Sequence, residues 1–133
     1  MPYLQLDVPG RHSVNDKRRL AKRLGDIFAR VMQTAPDQVT VAIRDLGAGG
    51  VWRCGAGEPE PAALLMCDIR RGRQPEQRAE LAEALVAACV EALGLRRDRL
   101  AVEFTQHAGD EMYKAERGGL GSEWTPDEAI ATD

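Results

Sequence analysis

The residues with the clearest potential for chemistry are two arginines that follow an apolar stretch of the chain. Arg70 and Arg73 belong to the segment Arg70-Arg71-Gly72-Arg73, directly after a predicted strand over residues 63–69. Two guanidinium groups on one turn at the carboxyl end of a strand can hold a carboxylate bidentately and stabilise a developing enolate. The alternative is that both side chains are solvated at the surface. The residues by themselves leave both interpretations open.

Metal chemistry has little support among the other candidate residues. Cys54, Cys67 and Cys89 lie at spacings that fit no metal motif, and His12 and His107 are the two histidines of the chain. Cys67 lies in an apolar strand and Cys89 in an apolar helical segment, so both are predicted to be small core residues. No metal site is therefore expected.

The composition is that of a soluble globular protein. The 133 residues are 44% hydrophobic and 29% charged, which excludes global disorder. The net charge of -3 argues against nucleic acid as the main partner. No apolar segment approaches the roughly 18 residues of a membrane span, and the amino-terminal sequence is not that of a signal peptide. We therefore expect a cytoplasmic protein without a membrane partner.

Hydrophobic periodicity predicts two β-α-β units. The predicted elements are strands over residues 3–8, 39–43, 63–69 and 100–104, and helices over residues 14–32 and 75–93, the second capped by Gly94. Residues 47–61, which are rich in glycine and proline, are predicted to form a loop with a short hairpin around residues 51–53.

The two units match at a constant offset along the chain. The identical pairs are Leu4/Leu65, Asp7/Asp68, Leu20/Leu81, Ala21/Ala82, Leu24/Leu85, Asp37/Asp98 and Val41/Val102. A constant offset across strand, helix and strand indicates a tandem repeat. The predicted organisation is repeat one over 2–46, a glycine-rich linker over 47–61, repeat two over 62–107 and a C-terminal segment over 108–133.

The repeat predicts an α/β (α+β) fold with one uncovered sheet face. Strands joined through a helix run parallel, so two such units can form one four-stranded sheet with both helices on one face. An apolar second face would have to be buried against something, and the chain has no further helix for it. Self-association is therefore expected. Met112, Tyr113 and Trp124 suggest that the C-terminal segment packs on a neighbour.

These features together resemble the tautomerase superfamily, of the 4-oxalocrotonate tautomerase type. Pro2 stands directly before a strand, Gly10-Arg11 precedes a long amphipathic helix, and the unit is duplicated. The chain is most similar to the long, fused form, which includes cis-3-chloroacrylic acid dehalogenase and its homologues. Their substrate clamp has the Arg-x-Gly-Arg pattern of residues 70–73. The resemblance implies a single tautomerase-like domain over residues 1–133, a homotrimer and no cofactor.

The resemblance also implies that Pro2 is the catalytic base and acid once Met1 has been removed. The freed nitrogen is a secondary amine, and burial beside arginines disfavours its ammonium form, so its pKa falls toward neutrality. Such a base can take a proton α to a carbonyl and return it elsewhere. The implied function is a tautomerase or isomerase that acts on an unsaturated or 2-oxo carboxylate. The alternative is that Pro2 merely begins an edge strand.

Further substrate-binding residues follow from the same resemblance. Arg11 matches an arginine that contacts the distal carboxylate, usually from a neighbouring subunit. Trp52 matches an aromatic residue that makes the pocket apolar, although it could instead plug the trimer. Glu103 could tune Pro2 or orient water, or be an ordinary strand carboxylate.

Several positions depart from the pattern of the dehalogenase and of the short tautomerases. Phe28 replaces a histidine of the first helix, Glu103 a tyrosine of the fourth strand and Thr40 an arginine of the second strand. Lys114 replaces the water-activating glutamate, and a shift of the alignment by one turn would bring Glu111 or Tyr113 inward instead. Hydrolytic dehalogenation is therefore expected to be weak. The alternative functions are a hydratase, dehalogenase or decarboxylase of a 3-carbon acid, and a non-catalytic oligomeric binding protein.

Overall fold

The computed structural model describes residues 2–116 and 118–120. Trp124, which was expected to pack on a neighbour, lies outside the described residues. The strands are β1 (Tyr3–Val8), β2 (Thr40–Asp45), β3 (Trp52–Arg53), β4 (Glu60–Pro61), β5 (Ala63–Arg70), β6 (Leu100–His107), β7 (Tyr113–Lys114) and β8 (Gly119–Leu120). The helices are α1 (Val14–Met32) and α2 (Pro75–Leu93), with 3₁₀ turns at Pro36–Gln38, Arg97–Arg99 and Gly109–Glu111.

Four of the strands form one mixed sheet in the order β2-β1-β5-β6. β1 runs parallel to β2 and β5 parallel to β6, whereas the central pair of β1 and β5 is antiparallel. The predicted fold class, with two β-α-β units in one four-stranded sheet, is confirmed. The short hairpin expected around residues 51–53 is also present, because β3 pairs with β4.

Both helices begin and end where the sequence predicts. The Ser13 hydroxyl accepts a hydrogen bond from the Asp16 amide at 3.0 Å and caps the first turn of α1. α2 begins with Pro75 and ends at Leu93, and it is capped by Gly94, whose φ of 66° lies in the left-handed region that favours glycine. Val14, the first residue of α1, is apolar but 66% exposed.

One face of the sheet packs on the helices and forms the core. The alternate side chains that face this layer are fully buried, and they include Leu4, Leu6, Val8, Leu65, Cys67 and Ile69. Phe28 is 4% exposed in the same core, as expected for a residue on the apolar face of α1. Burial raises the pKa of both the Cys67 and the Cys89 thiol to about 12, so each behaves as a small core residue.

The opposite face of the sheet carries no helix of the described chain. By strand alternation its side chains are Tyr3, Gln5, Asp7, Thr40, Ala42, Arg44, Leu64, Met66, Asp68, Arg70, Ala101, Glu103, Thr105 and His107. We call this surface the open face. It is more polar than expected, since Leu64 and Met66 are its largest aliphatic side chains. None of the helices within the described residues has the length and apolar character needed to cross a membrane.

Candidate active site

The antiparallel central pair brings Pro2 and Arg70 to the same end of the sheet. Tyr3 lies opposite Asp68, so Pro2, one residue earlier, lies beside the carboxyl end of β5, which ends at Arg70. The Pro2 carbonyl accepts a hydrogen bond from the Thr40 amide at 3.1 Å, which holds the start of β1 against β2. Pro2 itself is half-buried. A potential amine base and a guanidinium group therefore share this end, which we call the Pro2 end.

Arg73 is attached to the helix layer. It follows Gly72, whose φ of 113° favours glycine and redirects the chain after β5. Arg73 Nη2 donates a hydrogen bond of 3.0 Å to the carbonyl of Met32, the last residue of α1. This contact satisfies a carbonyl that the helix leaves unpaired at its end. One part of the guanidinium thus has a structural partner, and contact with a ligand would fall to its other N–H groups.

Arg11 and Trp52 lie at the opposite end of the sheet from Pro2 of the same protomer. Arg11 follows the carboxyl end of β1, and Trp52 pairs with Pro61 just before β5 begins. A strand rises about 3.3 Å per residue, so β1 separates the two ends by about 20 Å. Trp52 is 52% exposed, and its Nε1 donates a hydrogen bond to the Gly49 carbonyl at 2.9 Å. Either residue could approach Pro2 only from another subunit.

The remaining predicted residues lie on the open face or in the C-terminal segment. Glu103 is exposed on the open face, beside Met66 and farther from the Pro2 end than Arg70. Tyr113 is 63% exposed in β7. The Lys114 ammonium lies 2.8 Å from a carboxylate oxygen of Glu116, and the Lys114 side chain as a whole is 17% exposed. Lys114, which the resemblance aligns with the glutamate of the dehalogenase, is thus ion-paired with Glu116.

His107 is a candidate that the sequence interpretation missed. It lies opposite Arg70 in the parallel register of β5 and β6 and is 9% exposed. Its Nδ1 lies 2.9 Å from Asp68 Oδ1, and the Thr105 hydroxyl donates to the same oxygen at 2.9 Å. Within the described part of the chain, its Nε2 is buried without a hydrogen-bond partner. Strand alternation could have indicated this contact, because Thr105 and His107 lie on the same face of the sheet as Asp68.

The first repeat holds its matching aspartate in a different way. Asp7 accepts two hydrogen bonds from Arg44, at 2.5 Å to Nε and 2.8 Å to Nη2. The hydrogen bond and the charge of Asp7 raise the pKa of Arg44. Thr105 takes the position of Arg44 in the second repeat. Asp68 is thus paired with an imidazole at the Pro2 end, whereas Asp7 is paired with a permanent cation at the far end.

One well-formed cleft of the described chain lies away from the Pro2 end. It has a volume of about 370 Å³ and is lined by Pro9, Ala62, Ala63, Leu95, Arg96 and Arg99, among others. Arg96 pairs with Asp98, and Arg99 with Glu60. Its cations are therefore already matched, and the cleft lacks an amine base. No group of histidine, cysteine and carboxylate side chains among the described residues is arranged to hold a metal ion.

Comparison with known proteins relates this architecture to one family. Residues 2–56 match the model of the tautomerase enzymes. Comparison with curated proteins gives no match. The matched range covers one β-α-β unit and the start of the linker, as expected if the second unit has diverged from the first.

Solved structures with the same fold cover nearly the whole chain. A wild-type fused 4-OT (4-oxalocrotonate tautomerase) that forms a symmetric trimer shares 26% identity, with a TM-score of 0.77 over 90% of this chain and 95% of that chain. The protein N1, a member of the cis-3-chloroacrylic acid dehalogenase family, shares 22% identity, with a TM-score of 0.78 over 91% and 84%. Pt0534, inactivated by 2-oxo-3-pentynoate, shares 23% identity, with a TM-score of 0.77 over 90% and 96%.

The family model and the fold lead to the same conclusion. Residues 2–56 match the tautomerase enzyme family, and the described chain as a whole has the fold of fused 4-OT. It has the long form, in which two β-α-β units are fused in one chain.

Proposed function

We propose that this protein is a tautomerase or isomerase that acts on an unsaturated or 2-oxo carboxylate. The observation that carries the proposal is the antiparallel pairing of β1 with β5, which puts Pro2 at the same end of the sheet as Arg70. An amine base beside a fixed cation is suited to moving a proton next to a carbonyl group.

In the proposed mechanism, Pro2 acts after removal of Met1. Its secondary amine takes a proton from the carbon α to the carbonyl, and the resulting ammonium returns the proton to another atom of the conjugated system. Arg70 stabilises the enolate oxygen that forms in between, and the free N–H groups of Arg73 bind the substrate carboxylate. The neighbouring cations and partial burial both disfavour the ammonium form of Pro2, so part of the amine is uncharged at neutral pH.

The proposed enzyme is a homotrimer, as the fused 4-OT structure is. Each chain has an open face without a covering helix among the described residues, and Arg11 and Trp52 lie far from Pro2 of their own protomer. In a trimer, a neighbouring subunit could bring Arg11 to the distal carboxylate and Trp52 to the wall of the pocket.

The amine can be tested with 2-oxo-3-pentynoate, the compound that inactivates the structural relative Pt0534. An uncharged amine adds to the conjugated alkyne of this compound, whereas an ammonium or an amide does not. We expect the Met1-free protein to gain the mass of one inhibitor molecule on its amino-terminal peptide. Protein that retains Met1 is the matched control and should not be labelled there.

Turnover is measured in parallel with 2-hydroxymuconate or phenylenolpyruvate as the enol. Pro2→Ala leaves a primary amine of different geometry and should lose most of the ketonisation rate while the fold is kept. If Pro2→Ala and the Met1-retaining protein were as active as the processed protein, the proline mechanism would be untenable. A folded trimer with neither labelling nor turnover would instead favour a non-catalytic binding protein.

A further inference from the structure

The open face carries a carboxylate close to the proposed base. Asp68 lies directly opposite Tyr3, the residue after Pro2, and its side chain is 37% exposed. A nearby negative charge favours the protonated form of an amine. A carboxylate without hydrogen-bond partners at this position would therefore raise the pKa of the Pro2 amine. The proposed function requires the opposite, an amine that is partly uncharged at neutral pH.

The Asp68 carboxylate is held on the side away from β1. His107 Nδ1 and the Thr105 hydroxyl both lie 2.9 Å from its Oδ1, and both belong to β6. Two donors on one oxygen draw its negative charge toward β6, whereas Pro2 belongs to β1 on the other side of β5. His107 Nε2 is buried. The imidazole therefore acts through Asp68 and not by touching a ligand.

The repeat supplies an internal comparison. The matching Asp7 is held by Arg44 through two hydrogen bonds, which shows that this scaffold can pair the aspartate with an arginine. At the Pro2 end that arginine is replaced by Thr105, and a histidine two residues further along β6 reaches the aspartate instead. The two repeats therefore differ in the partner of this aspartate, and the aspartate with the histidine partner, Asp68, is the one nearer to Pro2.

We propose that His107 is a positioning residue of the Pro2 end, which orients and partly neutralises the Asp68 carboxylate so that the Pro2 amine stays uncharged. This inference rests on the proposed function. The other charged or titratable groups at the Pro2 end are Arg70 on β5, Arg73 in the turn after β5, Tyr3 on β1 and Asp37 in the turn before β2. Glu103 lies farther along the open face on β6.

The test is a direct titration of the Pro2 nitrogen by NMR, in Met1-free protein labelled with nitrogen-15 proline. His107→Leu removes the donor to Asp68 and should raise the Pro2 pKa by about half a unit to one unit. His107→Gln keeps a donor and should shift it less. Asp68→Asn should lower the Pro2 pKa. Because His107 acts through Asp68, the double variant should titrate like Asp68→Asn alone.

Asp7→Asn is the matched control, since it makes the same change in the other repeat and should leave the Pro2 titration unchanged. Thermal unfolding reports whether each variant is folded. If His107→Leu does not fold, the two single variants Asp68→Asn and His107→Gln still test the proposal, because the first should lower the Pro2 pKa and the second should raise it slightly. An unchanged Pro2 titration in these two variants would overturn the proposal. So would an effect of His107 that persists without Asp68.

The titration needs no substrate, which separates this proposal from the proposed function. If the variants shift as described but no enol is ketonised, the proposed function fails alone. If Pro2 catalyses ketonisation and all variants titrate alike, the role of His107 fails alone.

Discussion

Tyr3 lies opposite Asp68 across the antiparallel pair that joins the two repeats. This register determines which residues can share a site. Had β1 and β5 been parallel, the amino end of β1 and the carboxyl end of β5 would lie at opposite edges of the sheet. Pro2 and Arg70 would then be separated by the length of a strand. The direction of one strand pair is thus the condition for the proposed chemistry.

Arg70→Ala is expected to weaken turnover of carboxylate substrates in a protein that remains folded. A charged hydrogen bond contributes about 1.5–3 kcal/mol, so kcat/KM should fall by about 10- to 100-fold. Arg73→Ala should lower kcat/KM as well, and should also lower the Tm because the Met32 carbonyl loses its donor. Arg71→Ala is the control and should change neither. Kinetics equal to wild type in both Arg70→Ala and Arg73→Ala would show that the clamp assignment is wrong.

Dehalogenation of 3-chloroacrylates should be weak or absent. The resemblance aligns Lys114 with the water-activating glutamate of the dehalogenase, and an ammonium that is ion-paired with Glu116 cannot accept a proton from water. Chloride release over hours, with enzyme at high concentration, measures this directly. Robust release would mean that the C-terminal segment has been aligned incorrectly.

Lys17→Met should destabilise the protein at neutral pH and have little effect in acid. Asp45 Oδ2 accepts hydrogen bonds from Lys17 Nζ at 3.0 Å and from the His12 amide at 3.2 Å. Burial acts to raise the pKa of Asp45, but the Lys17 and His12 contacts outweigh it, and the pKa lies below its usual 3.8. The pair therefore stabilises the fold above that value, and the contribution is lost as the pH falls through the lower folded pKa.

Denaturant unfolding at several pH values checks this expectation. The free energy of unfolding of Lys17→Met should be lower than that of wild type by about 1–2 kcal/mol at neutral pH. The gap should close as the pH falls below about 4. Lys22→Met removes an exposed pair with Asp26 and is the matched control, with a much smaller effect. A gap that stays constant into acid would contradict the assignment to Asp45.

The protein should be a homotrimer at micromolar concentration, as measured by light scattering. Met66 lies near the middle of the open face, between Gln5 and Glu103. Met66→Arg should dissociate the assembly and reduce turnover, because it puts a charge into the surface that the subunits would share. Val14→Arg changes an exposed residue of the helix layer and should do neither. A monomeric wild-type protein would remove the basis for a pocket shared between subunits.

Local signals account for the parts of the fold that were correctly predicted from sequence. The bounds of α1 and α2 follow from hydrophobic period and from the caps at Ser13 and Gly94, which act within a few residues of the chain. The burial of Phe28 and Cys67 follows from the same periods. The parallel pairing within each unit was predicted from the β-α-β order, because two strands that are joined through a helix usually run parallel.

The arrangement of the candidate site was decided by the tertiary structure. Sequence patterns were sufficient to predict two β-α-β units, an arginine turn after β5 and a proline before β1. It did not determine the antiparallel joint between the units, the distance of Arg11 and Trp52 from Pro2, or the pairing of His107 with Asp68. The physical reason is that periodicity and caps act over a few residues, whereas strand order and register depend on packing between segments some 60 residues apart.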